Sequence, residues 1–323
     1  MKAIVNTAPG KVELLDWPMP QPGPGQVRIK TLVCGVCATD LEMIAGWTRT
    51  GFPAIPGHEW SGRVDAVGDG VDRALIGRKC VAENVWPAGG EVGFEHPGGY
   101  GEFLVTEAAN VQVLPDAFPA DAAALIEPTA VCVRALRRAR YARERAALII
   151  GDGPIGLILV MLLRGAGPAE VCLVGGRPNR LALAREFGAA ATLNYHEMEG
   201  DLAPAIRERL GRRFPLVFEA SGSARAMQAS LDVAAPGGRI LMLGDYGQAR
   251  ADIPWNHLLH NELELIGSNA SAEAWPEAVR LAVEDRIPLD RLITHRLPAA
   301  RGPEAVELAR ANRDAIKVAM EWE

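Results

Sequence analysis

The chain has 323 residues, 49% hydrophobic and 23% charged, with a net charge of −6. Its length fits two domains at roughly 150 residues each, and its apolar content suffices for two packed cores. The acidic balance speaks against a nucleic-acid partner, which recruits basic surface. The longest apolar runs, such as residues 155–163, fall far short of the ~20 residues that cross a bilayer.

In chain order, KAIVN (2–6), VELLDW (12–17), QVRIKTLVCGV (26–36) and SGRVDAVG (61–68) read as strands. They are separated by turn residues in PQPGPGQ (20–26) and GDG (68–70). PGGYGEFLVTE (97–107) reads as a turn and another strand, so the first part is a β module. The opening residues have no basic segment followed by an apolar one, which reads as no signal peptide. Five cysteines spread through the chain suit a reducing compartment, and the expected location is the cytoplasm.

From about residue 124 the period changes. PTAVCVRALRRAR (128–140) reads as a helix, and strands and helices then alternate. The strands ALIIG (147–151), VCLVGG (171–176), ATLNY (191–195), PLVFEASG (215–222) and GRILMLG (238–244) are short apolar runs. Helical segments such as GLILVMLLRGAG (156–167) lie between them, and LELIGSN (263–269) supplies a sixth strand. This alternation predicts a doubly wound parallel sheet. Two amphipathic helices and a strand, IKVAMEW (316–322), close the chain.

GDGPIG (151–156) matches GxGxxG between an apolar strand and a helix. That setting allows a tight turn at Gly151, approach of a pyrophosphate at Gly153, and helix–strand packing at Gly156, with phosphate at the helix N-terminus. Pro154 and Ile155 complete the loop. At the end of the second strand, where an acid ordinarily meets the ribose hydroxyls, stand Gly175 and Gly176, followed by Arg177 and Arg180. Loss of a carboxylate and gain of arginine favour NADP over NAD. An Arg177 that is merely solvated or stacks on adenine would leave NAD as the cofactor.

Three segments carry metal-ligand chemistry. CGVCATD (34–40), IPGHEWSG (55–62) and ALIEPTA (124–130) supply Cys37, His58, Glu59 and Glu127. Thiolate, imidazole and carboxylate are the ligand types of a catalytic zinc with one open position. A thioredoxin-like pairing of Cys34 with Cys37 would want a helix start in its own small fold. The strand-like KTLVCGV disfavours it and marks Cys34 as a buried, small apolar residue.

Together with the PGPGQV turn, the EP at 127–128, FEASG (218–222) and the closing IKVAM, these segments resemble the medium-chain, zinc-dependent alcohol and polyol dehydrogenases over almost the whole chain. The resemblance implies an α/β chain. A GroES-like β-barrel catalytic domain would span 1–123 and 268–323, and a Rossmann domain 124–267. It implies Cys37 and His58 as zinc ligands with Glu59 or Glu127, and Thr39 as the hydroxyl that passes the substrate proton onward. Asp40 would orient the metal site or cap a turn. Nucleotide contacts would come from the glycine loop, from Gly176, Arg177 and Arg180, and from Ser221, Leu243 and Ser268 on later turns.

Many such proteins carry a second zinc held by four cysteines. Here the corresponding stretch, 81–103, has no cysteine, which predicts one catalytic zinc and no structural zinc. The implied reaction is hydride transfer between a secondary alcohol and NAD(P). The acidic ligands favour a polyol, sugar, cyclitol or amino-alcohol. Trp47, Arg49, Trp86, Phe94, Glu95 and His96 are expected near the substrate. A homodimer or homotetramer is expected, without nucleic-acid or membrane partners. A zinc-free quinone or enoyl reductase on the same fold, or a nucleotide binder without turnover, would lack these ligands.

Overall fold

The structure is a computed structural model, and residues 1–142, 146–166 and 170–323 are described. The chain divides into two compact units, Met1–Glu127 with Trp275–Glu323, and Pro128–Ala274.

The first unit opens with the antiparallel pair β1 (Lys2–Ala8) and β2 (Lys11–Asp16). There follow β3 (Gln26–Val36), α1 (Ala38–Ala45), β4 (Trp60–Val67), β5 (Lys79–Ala82), β6 (Phe103–Glu107), β7 (Val111–Val113) and α2 (Ala120–Ala124). α3 (Ile126–Arg138) carries the chain across the boundary between units. Pro128 is tolerated there because it falls in the first helical turn, where its missing N–H has no intrahelical partner to lose.

β3 alternates buried and half-buried residues from Gln26 to Leu32, as a strand with one packed face should. From Val33 to Val36 every residue is buried. There β15 pairs along one edge of β3 while β4 flanks the other at Val33 and Cys34.

The second unit contains β8 (Ala146–Ile150), α4 (Pro154–Gly165), β9 (Glu170–Gly175), α5 (Pro178–Glu186) and β10 (Ala191–Asn194). It continues through α6 (Leu202–Leu210), β11 (Phe214–Glu219), α7 (Ala224–Val233), β12 (Ala234–Met242), α8 (Trp255–His260) and β13 (Glu264–Gly267). Its six strands are parallel, in the order β10-β9-β8-β11-β12-β13. The order reverses between β8 and β11, so the carboxyl ends of these two strands form the switch point where ligands bind such sheets. All five residues of β8 are buried, as a central parallel strand requires. Gly167, the last residue of the helix expected over 156–167, lies outside the described residues.

The chain then returns to the first unit through α9 (Trp275–Val283), β14 (Ile293–Pro298), α10 (Gly302–Ala311) and β15 (Lys317–Glu321). The larger sheet of that unit runs β14-β15-β3-β4-β5-β7, with β6 on β3. The last strand of the sequence is therefore interior to this sheet, parallel to β14 and antiparallel to β3.

The units exchange after Glu127 and Ala274, a few residues beyond the expected boundaries at 123 and 267. Residues 124–127 continue directly from α2, which packs on β3 and β4. Residues 268–274 are tied into the second unit. The Ser268 N–H donates to the Met242 carbonyl, and Arg134 and Arg137 of α3 donate to the carbonyls of Ala272 and Glu273. α1, β7, α2, α8 and β14 are additions to the elements expected from sequence.

Candidate metal centre and nucleotide cavity

Cys37 is the residue that ends β3 and caps α1. The Asp40 carboxylate accepts the Cys37 backbone N–H at 2.8 Å, closing a capping box. The same carboxylate, wholly buried, lies 3.2 Å from Nδ1 of His58 and accepts the Gly57 N–H. Asp40 thus caps the helix and at the same time contacts the imidazole that follows Gly57. Asn84 holds the His58 backbone, donating to its carbonyl at 2.8 Å while accepting from the Trp60 indole. Phe94 stacks on the imidazole at 4.9 Å.

Donor atoms of Cys37, His58 and Glu59 lie within 4.8 Å of one another. Among the described residues no second group of three such donors is found. Sulfur, nitrogen and oxygen converging in a largely buried pocket fit a zinc ion. Glu127 lies outside this tight group but close to it. Burial pushes its carboxyl up to about 7, against the opposing charge of His58. For His58, burial lowers the pKa, yet the charges of Asp40 and Cys37 outweigh it and leave the imidazole well above its usual range. The Thr39 hydroxyl lies 3.7 Å from the Cys37 sulfur.

Glu59 has a partner that sequence reading missed. Lys317 of β15, 4% exposed, sits 2.6 and 2.7 Å from the two oxygens of the Glu59 carboxylate, itself 2% exposed. Burial lowers the lysine pKa, but the Glu59 charge prevails and raises it. Gly35 makes room for the pair: a Cβ there would come within 2.6 Å of Glu59 Oε2 and 3.4 Å of Lys317 Cδ. Cys34, next to it, is fully buried, and its sulfur packs where a Cβ on Gly57 or Gly99 would intrude. The two cysteines of CGVC therefore do different work. A lysine inside the apolar IKVAM run was the available signal for Lys317.

Of the residues expected near substrate, Trp47, Arg49, Phe94 and Glu95 form a cluster beside His58, and Trp86 and His96 form a separate pair. The Arg49 guanidinium lies 4.4 Å from the Phe94 ring centroid and pairs with Glu91 and Glu95 at 3.0 and 2.7 Å. Trp47 meets Phe94 edge-on, and Trp86 stacks on His96 at 3.7 Å.

In the second unit, the glycine loop joins β8 to α4. Gly151 adopts φ +125°, and a Cβ on it would press against the Ala220 backbone. A Cβ on Gly156 would lie 2.0 Å from the Gly151 carbonyl oxygen, so both positions require glycine. Gly153 caps α4, with open space where a Cβ would be. A cavity of about 500 Å³ opens at this switch point. Of the expected contacts, Gly151, Gly153, Arg177, Arg180 and Ser221 line it. Pro154, Ile155, Gly156, Gly176, Leu243 and Ser268 do not. Gly156 and Gly176 instead serve packing, since a Cβ on Gly176 would strike the Tyr195 ring. Leu243 and Ser268 donate their N–H groups to Glu219 and Met242.

Asp152, Tyr195 and Arg225 line the cavity without having been singled out from sequence. Asp152 is the polar residue of the GDGPIG loop, whereas Tyr195 follows β10 and Arg225 lies in the first turn of α7. Beside the cavity, buried Glu219 accepts hydrogen bonds from Ser221, Gly222 and Tyr246, tying the turns after β11 and β12 together. An open glycine-capped helix N-terminus facing a cavity with three arginines fits a dinucleotide.

The sequence matches two family models: "Alcohol dehydrogenase GroES-like domain" over residues 23–116, and "Zinc-binding dehydrogenase" over 154–284. It is 30% identical to L-threonine 3-dehydrogenase of Saccharopolyspora erythraea, covering 100% of this chain and 99% of that one. It is 28% identical to D-arabitol-phosphate dehydrogenase of Enterococcus avium, covering 99% and 97%. The structure of galactitol-1-phosphate dehydrogenase from Escherichia coli superimposes with a TM-score of 0.89 at 29% identity, covering 99% of this chain and 100% of that one. With a largely buried Cys37–His58–Glu59 cluster in one unit and a six-stranded parallel sheet in the other, the chain belongs to the medium-chain, zinc-type alcohol and polyol dehydrogenases.

Proposed function

We propose that this protein is an NAD(P)-dependent dehydrogenase of a secondary alcohol, with one zinc per chain and a preference for NADP. The convergence of Cys37, His58 and Glu59 carries the metal assignment. Glu127, half-buried near them, is the alternative to Glu59 as the carboxylate ligand, which leaves one position open for substrate. The absence of cysteine over 81–103 supports a single zinc. When bound, zinc polarises the substrate oxygen as a Lewis acid and the nicotinamide exchanges the hydride.

The chain's own residues prepare that chemistry. Asp40 fixes the His58 ring, so that Nε2 is left for the metal. Lys317 pairs with the Glu59 carboxylate within the protein and fixes its position. The Thr39 hydroxyl takes the substrate proton and passes it on, and Phe94 covers one face of His58 against water. The arginines at 177, 180 and 225, with glycine rather than acid at 175 and 176, support NADP.

Acidic donors and the polar Arg49–Glu91–Glu95 cluster support a polyol, sugar, cyclitol or amino-alcohol as substrate. The names of the arabitol-phosphate and galactitol-phosphate relatives add phosphorylated polyols to the panel to be tried. No described helix is long and apolar enough to cross a membrane. Five unpaired cysteines support a cytoplasmic setting, and we assign a homo-oligomer.

Metal analysis of protein purified without chelator is expected to give one zinc per chain. Cys37→Ala is expected to abolish both zinc retention and turnover. Glu59→Gln and Glu127→Gln should each weaken zinc binding by about ten- to a hundredfold. Full turnover in zinc-free protein would overturn the proposal. Reduced-nicotinamide absorbance across the substrate panel, with both cofactors, identifies the alcohol and tests the NADP preference.

A further inference from the structure

Dinucleotide folds ordinarily place an acid at the end of the second strand, where it meets the adenosine ribose hydroxyls. β9 ends instead in Val174–Gly175–Gly176, yet the space beside it holds a carboxylate. It belongs to Asp152 of the glycine loop, which is 8% exposed. Its Oδ2 accepts the backbone N–H groups of Gly176 at 2.9 Å and Arg177 at 2.8 Å. A Cβ built on Gly175 would lie 2.4 Å from Asp152 Cβ and 2.5 Å from both Cγ and Oδ2. A side chain at 175 and the Asp152 carboxylate therefore exclude each other. The glycine at the strand end is the complement of an acid delivered from the neighbouring loop.

The same cavity is lined by Arg177, Arg180, Tyr195 and Arg225. Its arginines attract a 2′-phosphate, which carries close to two negative charges. A carboxylate in the same cavity repels that group and offers an acceptor to a 2′-hydroxyl. We propose that Asp152 is a specificity-determining residue for the ribose, which replaces the missing strand-end acid and restrains the preference for a 2′-phosphate. The inference rests on reading this cavity as the nucleotide site.

The test is calorimetric titration of the zinc-loaded full chain with 2′,5′-ADP and with 5′-ADP. Asp152→Asn keeps an acceptor for the two N–H groups and removes the charge. It is expected to tighten 2′,5′-ADP by about tenfold relative to 5′-ADP. Asp152→Gly combined with Gly175→Asp removes the Cβ that a side chain at 175 would strike, moves the carboxylate onto the strand end and is expected to restore the wild-type ratio. An unchanged ratio in Asp152→Asn, or equal weakening of both probes, would assign Asp152 to backbone capping alone and overturn the proposal. The wild-type ratio tests the NADP preference by itself. Failure of the wild type to bind either probe would remove the cavity reading, and this inference with it.

Discussion

Replacing Lys317 with methionine would leave the Glu59 carboxylate buried beside Cys37 and His58 without its counter-ion. An uncompensated buried charge of this kind costs about 3–5 kcal/mol. Lys317→Met is therefore expected to lower the stability of the metal-free protein by about that amount in urea unfolding. Adding Glu59→Gln should recover much of the loss, because the double change removes both charges. Additive losses in the double variant would show that the pair is not the source of the effect. None of CGVCATD, PGHEWSG and ALIEPTA announces metal chemistry alone, but the candidate ligands Cys37 and His58 were readable because these segments occur together in one chain and resemble those of a known family. Lys317 was not, because its contact with Glu59 joins positions 258 residues apart. Asp152 was hidden for a similar reason: its role depends on backbone N–H groups of another strand end.

β3 carries three different constraints in four consecutive positions, Cys34 to Cys37. Cys34 packs inward, Gly35 leaves room for the Glu59–Lys317 pair, and Cys37 turns the chain into α1. Gly35→Ala would bring a methyl within 2.6 Å of a carboxylate oxygen that Lys317 holds in place. The expected result is destabilisation by about 1–3 kcal/mol, as for overpacking elsewhere, accompanied by weaker zinc retention. Both are measurable by urea unfolding and chelator competition, and unchanged values in both would show that the pair can move aside. The long strands and the alternation of the second unit were legible because continuous apolar runs of this length have few other uses in a parallel sheet. A short element such as β7, three residues long, carries too little pattern to announce itself. α1 was concealed within a motif whose side chains drew the reading toward the metal.

At the scale of the whole molecule, the first unit is assembled from both ends of the sequence, while the second is one continuous stretch. Removing residues 317–323 deletes β15 from between β14 and β3, together with Lys317. A chain ending at Ile316 is expected to lose zinc retention and cooperative unfolding of the first unit. It should still bind 5′-ADP through Pro128–Ala274. Calorimetry and metal analysis on that truncated protein check both halves, and wild-type zinc retention would refute the expectation. The two-part organisation was legible from the switch in periodicity near residue 124; its limits depended on hydrogen bonds from α3 to residues 272 and 273 that no local pattern reveals. The interior placement of β15 also has a temporal meaning. A chain emerging from its N-terminus exposes an unfinished sheet edge on β3 until β15 arrives, whereas the second unit is already complete in sequence by Ala274. The order of synthesis thus completes the second unit before β15 can fill its place in the first, and the Glu59–Lys317 pair can form only after that strand has been made.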